Sequence, residues 1–325
     1  MKMPGRIVFL LFLLISIEAS AQKQKIVFAT QWLPQAQFAG YYVAREKGFY
    51  DEAGLDVTIK YPPTTGNVMS YLTDGTADII SQFLISAMKA RSAGTDLVNI
   101  AQFSEHSAIL FVSLKESGIK TLDDIRGKKV GIWKSGFYEA PKAFLANKKI
   151  NVQWVPIAST VNLFLMNGID VMTVMWYNEY NQLYLSGINE DEMNTFFLSK
   201  YGYDIPEDGL YTLNKTLKAR PQDLKAFTEA SIKGWQYAAA HFDYTLDLVL
   251  KKMLDEKIPA SKAHQKWMLE KVLELQGFKT GKAKQTILEE ADFNKAKEVL
   301  QFSGSKTKTL LFKDFSKPVV SKTDK

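Results

Sequence analysis

The sequence predicts an α/β protein of two similar lobes, each a mixed sheet flanked by helices, with a helical C-terminal part. Three observations predict it. Residues 25–57 read as strand, loop, helix, turn, strand. The same pattern starts afresh after Gly127. Beyond Pro221 apolar residues recur at helical spacing.

The first strand is the apolar run 25–29, and Gln31-Trp32-Leu33-Pro34 ends it, because proline cannot donate to a sheet ladder. Phe38, Tyr41, Tyr42 and Arg45 follow at i, i+3, i+4 and i+7, one face of a helix. Gly48 stands where a helix C-terminal glycine belongs, and residues 55–59 alternate as a second strand that runs on to Tyr61. Such a unit puts the loop after its first strand at the sheet's carboxyl edge, where open α/β sheets bind ligands. That loop carries Trp32 with Gln31 and Gln35. After Pro62-Pro63, a helix through Leu72 takes Thr64, Thr65 or Asn67 as its cap. Asp74-Gly75-Thr76-Ala77-Asp78 then leads into a strand that closes with Ser81-Gln82-Phe83. A helix to about Gly94 and two apolar runs, 97–103 and 109–114, complete this half.

Thr121 and Asp124 read as a helix N-terminus. Residues 128–133 form a fresh strand, followed by loop 134–138, a helix to about Lys148, strand 152–157 and a helix from Ser159. Asn167-Gly168-Ile169-Asp170 repeats the earlier arrangement of helix end, glycine and an Asp entering an apolar strand, here 171–175. The halves share a plan and do not form a solenoid. Loop 176–179, a short helix to Ser186 and the strand-like 208–213 come next. Helices are expected over 223–241, 244–254 and 261–276, with a short last one at 292–300. Trp235 and Trp267 read as core or helix-contact residues, and His241 and His264 as surface residues.

Residues 1–21 stand apart. Lys2 and Arg6 precede the apolar run 7–17, and Ala19-Ser20-Ala21 offers a small-residue cleavage site, a secretory signal pattern. The run is short for a membrane span. The sequence has 0 Cys, which excludes disulfides, Cys-ligated metals and a lipid-modified cysteine. A soluble protein of the periplasm, not a lipoprotein, is therefore expected. Of the formal net charge of +6, the signal segment carries one unit and residues 303–325, with six Lys and two Asp, carry four. The body is close to neutral, so no nucleic-acid partner is expected. Residues 303–325 read as a basic, flexible, solvated tail. Of the 3 His, none stands in a Ser/His/Asp or HExxH spacing. No catalytic residue, cofactor or metal is expected.

The x-W-x-P strand end, the run Gly40-Tyr41-Tyr42-Val43-Ala44-Arg45-Glu46-Lys47-Gly48-Phe49-Tyr50, and Ala53-Gly54-Leu55-Asp56-Val57 carry a resemblance. They are similar to the opening of the periplasmic solute-binding proteins of ABC importers. More narrowly, they resemble the branch that binds thiamine pyrimidine precursors, whose enzyme cousins are the thiamine-pyrimidine synthases. Sulfonate-, taurine- and nitrate-binding proteins share the opening more loosely. The resemblance runs from Lys25 to about residue 275. It implies a two-lobed type II periplasmic binding protein with a signal peptide at 1–21, lobe one at 22–113 plus 212–302, and lobe two at 114–211. Hinges are expected near 112–114 and 210–213, about which the lobes close. It also implies a monomer that holds a small-molecule ligand and meets an ABC permease in the inner membrane.

In that layout four loops meet at the cleft: Gln31-Trp32, Ser81-Gln82-Phe83, 134–138 and 176–179. Their rings Trp32, Phe83, Phe137, Tyr138, Trp176 and Tyr177 suit a flat heterocycle. Glu179 is placed to accept hydrogen bonds from an aminopyrimidine edge. The resemblance singles out Trp32, Tyr177 and Glu179, with Asp208 beside them. Gln31, Phe83, Ser135 and Trp176 complete the expected ligand set. Each has a plainer reading: packing for Trp32, a first-turn helix carboxylate for Glu179, a turn for Asp208. Gln31 stands where the precursor-binding branch has Asp, which admits a related amine, amide or nucleobase-like solute. Lys134-Ser135-Gly136 has one glycine, a poor phosphate cradle, though Ser135 suits a carboxylate, formyl or sulfonate oxygen. The synthases need a Cys-rich iron site and a reacting His between Trp32 and Glu105; neither is present. An anion-binding protein and a sensor lobe for a membrane kinase are the other readings.

Overall fold

The computed structural model describes residues 22–62, 67–134, 136–158, 160–280 and 286–321. The signal pattern at 1–21, the caps Thr64 and Thr65, the helix start Ser159 and the site candidate Ser135 lie outside them. The first half alternates β1 (Gln24–Ala29), α1 (Ala39–Glu46), α2 (Phe49–Glu52), β2 (Leu55–Lys60), α3 (Val68–Thr73), β3 (Ile79–Phe83), α4 (Leu84–Ser92) and β4 (Leu97–Gln102). The second contains β5 (Ile109–Leu114), β6 (Lys129–Trp133), α5 (Glu139–Asn147), β7 (Gln153–Ile157), α6 (Asn162–Leu165), β8 (Val171–Met175), α7 (Glu179–Leu185) and β9 (Met193–Phe197). β10 (Asp208–Leu213) leads into the helical part: α8 (Asn214–Ala219), α9 (Pro221–Ala240), α10 (Phe242–Asp255), α11 (Lys262–Leu275), α12 (Glu290–Phe302) and α13 (Phe312–Phe315). Thr121 and Asp124 open no α-helix. The Asp124 carboxylate accepts from the backbone N–H groups of Lys120 and Thr121, and only a single tight turn follows.

The strands form two sheets of one plan, β2-β1-β3-β10-β4 and β7-β6-β8-β5-β9. In each, three strands are parallel, and the fourth, β10 or β5, runs antiparallel to both its neighbours. The two helix-end Asp residues have one role. Asp78 Oδ2 accepts from the Val27 N–H at 2.8 Å, and Asp170 Oδ2 from the Lys129 N–H at 2.8 Å. Each carboxylate ties the start of its own strand, β3 or β8, to the neighbouring parallel strand, β1 or β6.

The crossings between sheets fall at residues 103–108 and 198–207, not at 112–114 and 210–213. β5 therefore belongs whole to lobe two and β10 whole to lobe one. An apolar run alone does not reveal which sheet receives it. These two strands are antiparallel because each enters its sheet directly from the other lobe, without a crossover helix to reverse it.

α1 lies closely on α9 in the lobe-one core. A Cβ on Gly234 would stand 2.2 Å from the Gly40 carbonyl oxygen, so both glycines serve the close approach. Trp235, fully buried, stacks on Phe278 with centroids 6.1 Å apart.

Residues 303–321 are not the solvated tail that their charge predicts. Phe315 is fully buried, 5.6 Å from Phe293 and 6.0 Å from Tyr211 between centroids. Ser316 bridges to Asn99, and the Lys317 N–H donates to the Asn99 carbonyl at 2.8 Å, at the β4 edge. The lysines obscured Leu310 and Phe315, which bury here.

Candidate ligand-binding site

Asp208 opens β10 directly after the second crossing and is buried. Its N–H donates to Ser104 Oγ at 3.1 Å, and its carbonyl accepts from the Phe103 N–H at 2.8 Å and from Gln102 Nε2 at 3.0 Å. These bonds hold it where the two crossings meet. The carboxylate accepts from Gln31 Nε2 and, at 3.0 and 3.2 Å, from Gln37 Nε2. Gln35 Nε2 in turn donates to Gln37 Oε1 at 2.7 Å. A tight turn at Ala36–Phe38 after the loop aims Gln37 inward. Burial raises the phenol pKa values of Tyr41, Tyr177 and Tyr211, and the Asp208 charge adds to each. The Asp208 charge thus reaches three phenols.

The opposite wall comes from lobe two. Tyr177 is buried there, and the charges of Asp208, Glu207 and Glu179 all act on it. Glu179, the first residue of α7, turns back on its own loop. Its Oε2 accepts from the Met175 N–H at 2.8 Å and its Oε1 from Asn178 Nδ2 at 2.7 Å. Burial outweighs these bonds and pushes its pKa up to about 7. Between the walls runs a row of half-buried rings. Trp32 meets Trp133 edge-on at 6.4 Å, Trp133 meets Phe137 at 5.4 Å, and Phe137 meets Phe83 at 6.3 Å. On the two neighbours of Trp32, in the chain and across the row, one buried polar atom each has no hydrogen-bond partner among the described residues: the acceptor Gln31 Oε1 and the donor Trp133 Nε1. Buried polar atoms left in this way are uncommon and call for an explanation.

The Trp176 ring lies elsewhere, on a seam between lobe two and α11. It contacts Phe197 at 5.6 Å and Trp267 at 6.5 Å, with the Lys271 ammonium 4.4 Å from its centroid. Trp267 Nε1 donates to the Trp176 carbonyl at 2.9 Å. His264 also sits on this seam, its ring nitrogens 2.8 Å from Asn181 Oδ1 and 3.1 Å from Asn178 Oδ1. It is not the surface residue its helical position predicts, and burial lowers its pKa.

A family model described as NMT1/THI5 like matches residues 35–243. The chain belongs to the NMT1/THI5-like family. A putative thiamine biosynthesis protein of Haemophilus influenzae is 26% identical, over 72% of this chain and 74% of that protein. Riboflavin-binding protein RibY of Chloroflexus aurantiacus is 24% identical, over 70% and 66%. Among solved structures, the periplasmic aliphatic sulphonate binding protein SsuA from Escherichia coli superposes with a TM-score of 0.65 at 14% identity, over 86% of this chain and 92% of that one. The NMT1/THI5-like chain thus has the fold of a periplasmic solute-binding protein. Among its described residues, no helix is long and apolar enough to cross a membrane.

In this NMT1/THI5-like protein, Gln31 and Asp208 touch, Trp32 follows Gln31 in the loop, the Asp208 charge reaches the buried Tyr177, and Glu179 bonds back to the Met175 N–H. Phe83 marks the far end of the ring row. Sequence reasoning missed Gln37, Trp133 and Glu207. Trp133 had a usable signal: it ends β6, whose place in its lobe matches that of β1. Glu207 is buried beside Asp208, accepting from Ser107 Oγ at 2.7 Å and from the Ala108 N–H at 3.0 Å. Burial dominates and raises its pKa to about 8, with Asp208 and Asp204 adding.

A raised carboxyl pKa means the fold favours the protonated form. This contribution to stability is complete below the unfolded value of about 4.5 and is lost as pH rises to about 8. Glu207→Gln stays neutral throughout. Relative to it, the wild type is expected to lose a few degrees of melting temperature between pH 5 and pH 8.5. Parallel melting curves across that range would exclude a buried, protonated Glu207.

Proposed function

We propose that this is a periplasmic solute-binding protein that captures a flat nitrogenous heterocycle, a thiamine pyrimidine precursor, for an ABC importer, and performs no reaction on it. Two unmatched buried atoms carry this reading: the acceptor Gln31 Oε1, on the residue before Trp32, and the donor Trp133 Nε1, on the ring that meets Trp32. An aminopyrimidine edge sets an amino donor beside a ring-nitrogen acceptor and so matches both. Trp32 and Trp133 come from opposite lobes, so closure on a ring would bring both indoles to it. Asp208 favours an electron-poor or protonated ring. Tyr177 and Phe83 shape the pocket in this reading, and Glu179 holds the Tyr177 loop. The signal pattern supports export, and the fold supports delivery to a permease by a monomer closing about its two crossings.

A sulfonate-, taurine- or nitrate-type anion fits less well. The buried Asp208 carboxylate repels an anion at short range in a low-dielectric cleft. Calorimetric titration with 4-aminopyrimidines, riboflavin and alkylsulfonates tests the reading; tight binding of the sulfonates alone would move the protein to that class. Trp133→Phe keeps the ring and removes the donor. It is expected to weaken aminopyrimidine binding about tenfold without lowering the melting temperature, because it also removes a buried unpaired N–H. An unchanged affinity would take Trp133 out of the site.

A further inference from the structure

We propose that a small cavity behind Phe137 is a second subsite of the cleft, which takes an amine on a short arm of the heterocycle and receives it on Glu139 Oε2. This rests on the heterocycle reading above and adds a specificity-determining residue to it. The cavity, about 20 Å³, lies between the lobes and is lined among others by Phe83, Ile109, Phe137, Glu139, Ile205 and Glu207. That is room for one water or one group of similar size. Phe137 and Phe83 belong to the ring row, so the cavity opens one ring beyond Trp133.

Glu139 is the first residue of α5 and is 3% exposed. Its Oε1 accepts from Lys89 Nζ at 3.0 Å, across the cleft from α4. Its Oε2 is buried and has no partner among the described residues. The neighbouring donors are engaged. Ser107 Oγ and the Ala108 N–H both donate to Glu207, Lys89 also donates to the Tyr138 hydroxyl, and Ser86 Oγ donates to the Gly136 carbonyl. The remaining lining is mostly apolar. A buried carboxylate oxygen without a donor is costly, so a ligand that brings a donor to it is favoured. Lys89 engages Oε1 alone, and a primary amine supplies the donor that Oε2 lacks.

The test compares 4-amino-5-aminomethyl-2-methylpyrimidine with 4-amino-2,5-dimethylpyrimidine by calorimetry. The wild type is expected to prefer the amine at least about tenfold. In Glu139→Gln, Lys89 takes the amide oxygen, which turns the amide NH2 into the cavity against the ligand's donors. The variant is expected to bind the dimethyl compound as the wild type does and to show no preference for the amine. Equal binding of both compounds by the wild type overturns the inference and leaves the heterocycle reading standing, as does a preference that survives in Glu139→Gln. Binding of neither compound overturns both. The wild-type ratio alone decides if the variant fails to fold.

Discussion

Asp208→Asn is expected to weaken heterocycle binding about a hundredfold or more, with little loss of melting temperature. Removing one member of a buried, hydrogen-bonded charge interaction costs about 2–5 kcal/mol, and each 1.4 kcal/mol is about tenfold. In the wild type the Gln31 and Gln37 amides both donate to the carboxylate. Asn offers one oxygen where there were two and turns an NH2 toward one of these donors. Gln31 must then rotate, and its Oε1, the acceptor proposed for the ligand's amino group, moves with it. Stability behaves differently. Asn still accepts from one of the two amides, and the backbone bonds to Ser104, Phe103 and Gln102 that hold residue 208 remain. Titration calorimetry beside a melting curve separates the two. An unchanged affinity would make Asp208 a structural pin for the crossings and nothing more.

The same residue shows what the sequence could and could not carry. Gln31 departs from the Asp of the precursor-binding branch, which reads as a weaker site for an amino group. The structure places a carboxylate beside that position all the same, from β10, almost the length of both lobes away in the chain. Periodicity finds strands and helices because burial on one face repeats locally; it holds no record of which residues meet across two crossings. Asp78 and Asp170 were legible because each acts within its own strand-helix-strand unit. Trp176 and Tyr177 were not separable. They are consecutive, one ring turns to the α11 seam and the other to Asp208, and only the packing of both lobes decides which does which. Glu207 and Gln37 sit in irregular segments where no period exists to mark their direction.

Phe315→Ala is expected to destabilise the protein by about 3–5 kcal/mol, the usual range for emptying a buried phenylalanine site. Urea unfolding measures it, as a lower midpoint at unchanged slope. The charge of residues 303–325 argues for no effect at all, since a solvated segment has nothing to lose. The packing argues otherwise, because Phe315 is fully buried between Phe293 and Tyr211. Phe302→Ala is the control. Phe302 ends α12 and is 52% exposed, so its truncation is expected to cost about 0.5 kcal/mol or less. Equal, small effects from the two variants would show that the segment does not cover the β4 edge in solution. A large effect from Phe315 alone would also reach the site. Tyr211, which packs on Phe315, lies on the strand that Asp208 opens, and a cavity against its ring frees it to move. A modest loss of heterocycle affinity should then accompany the loss of stability, and Phe302→Ala should show neither.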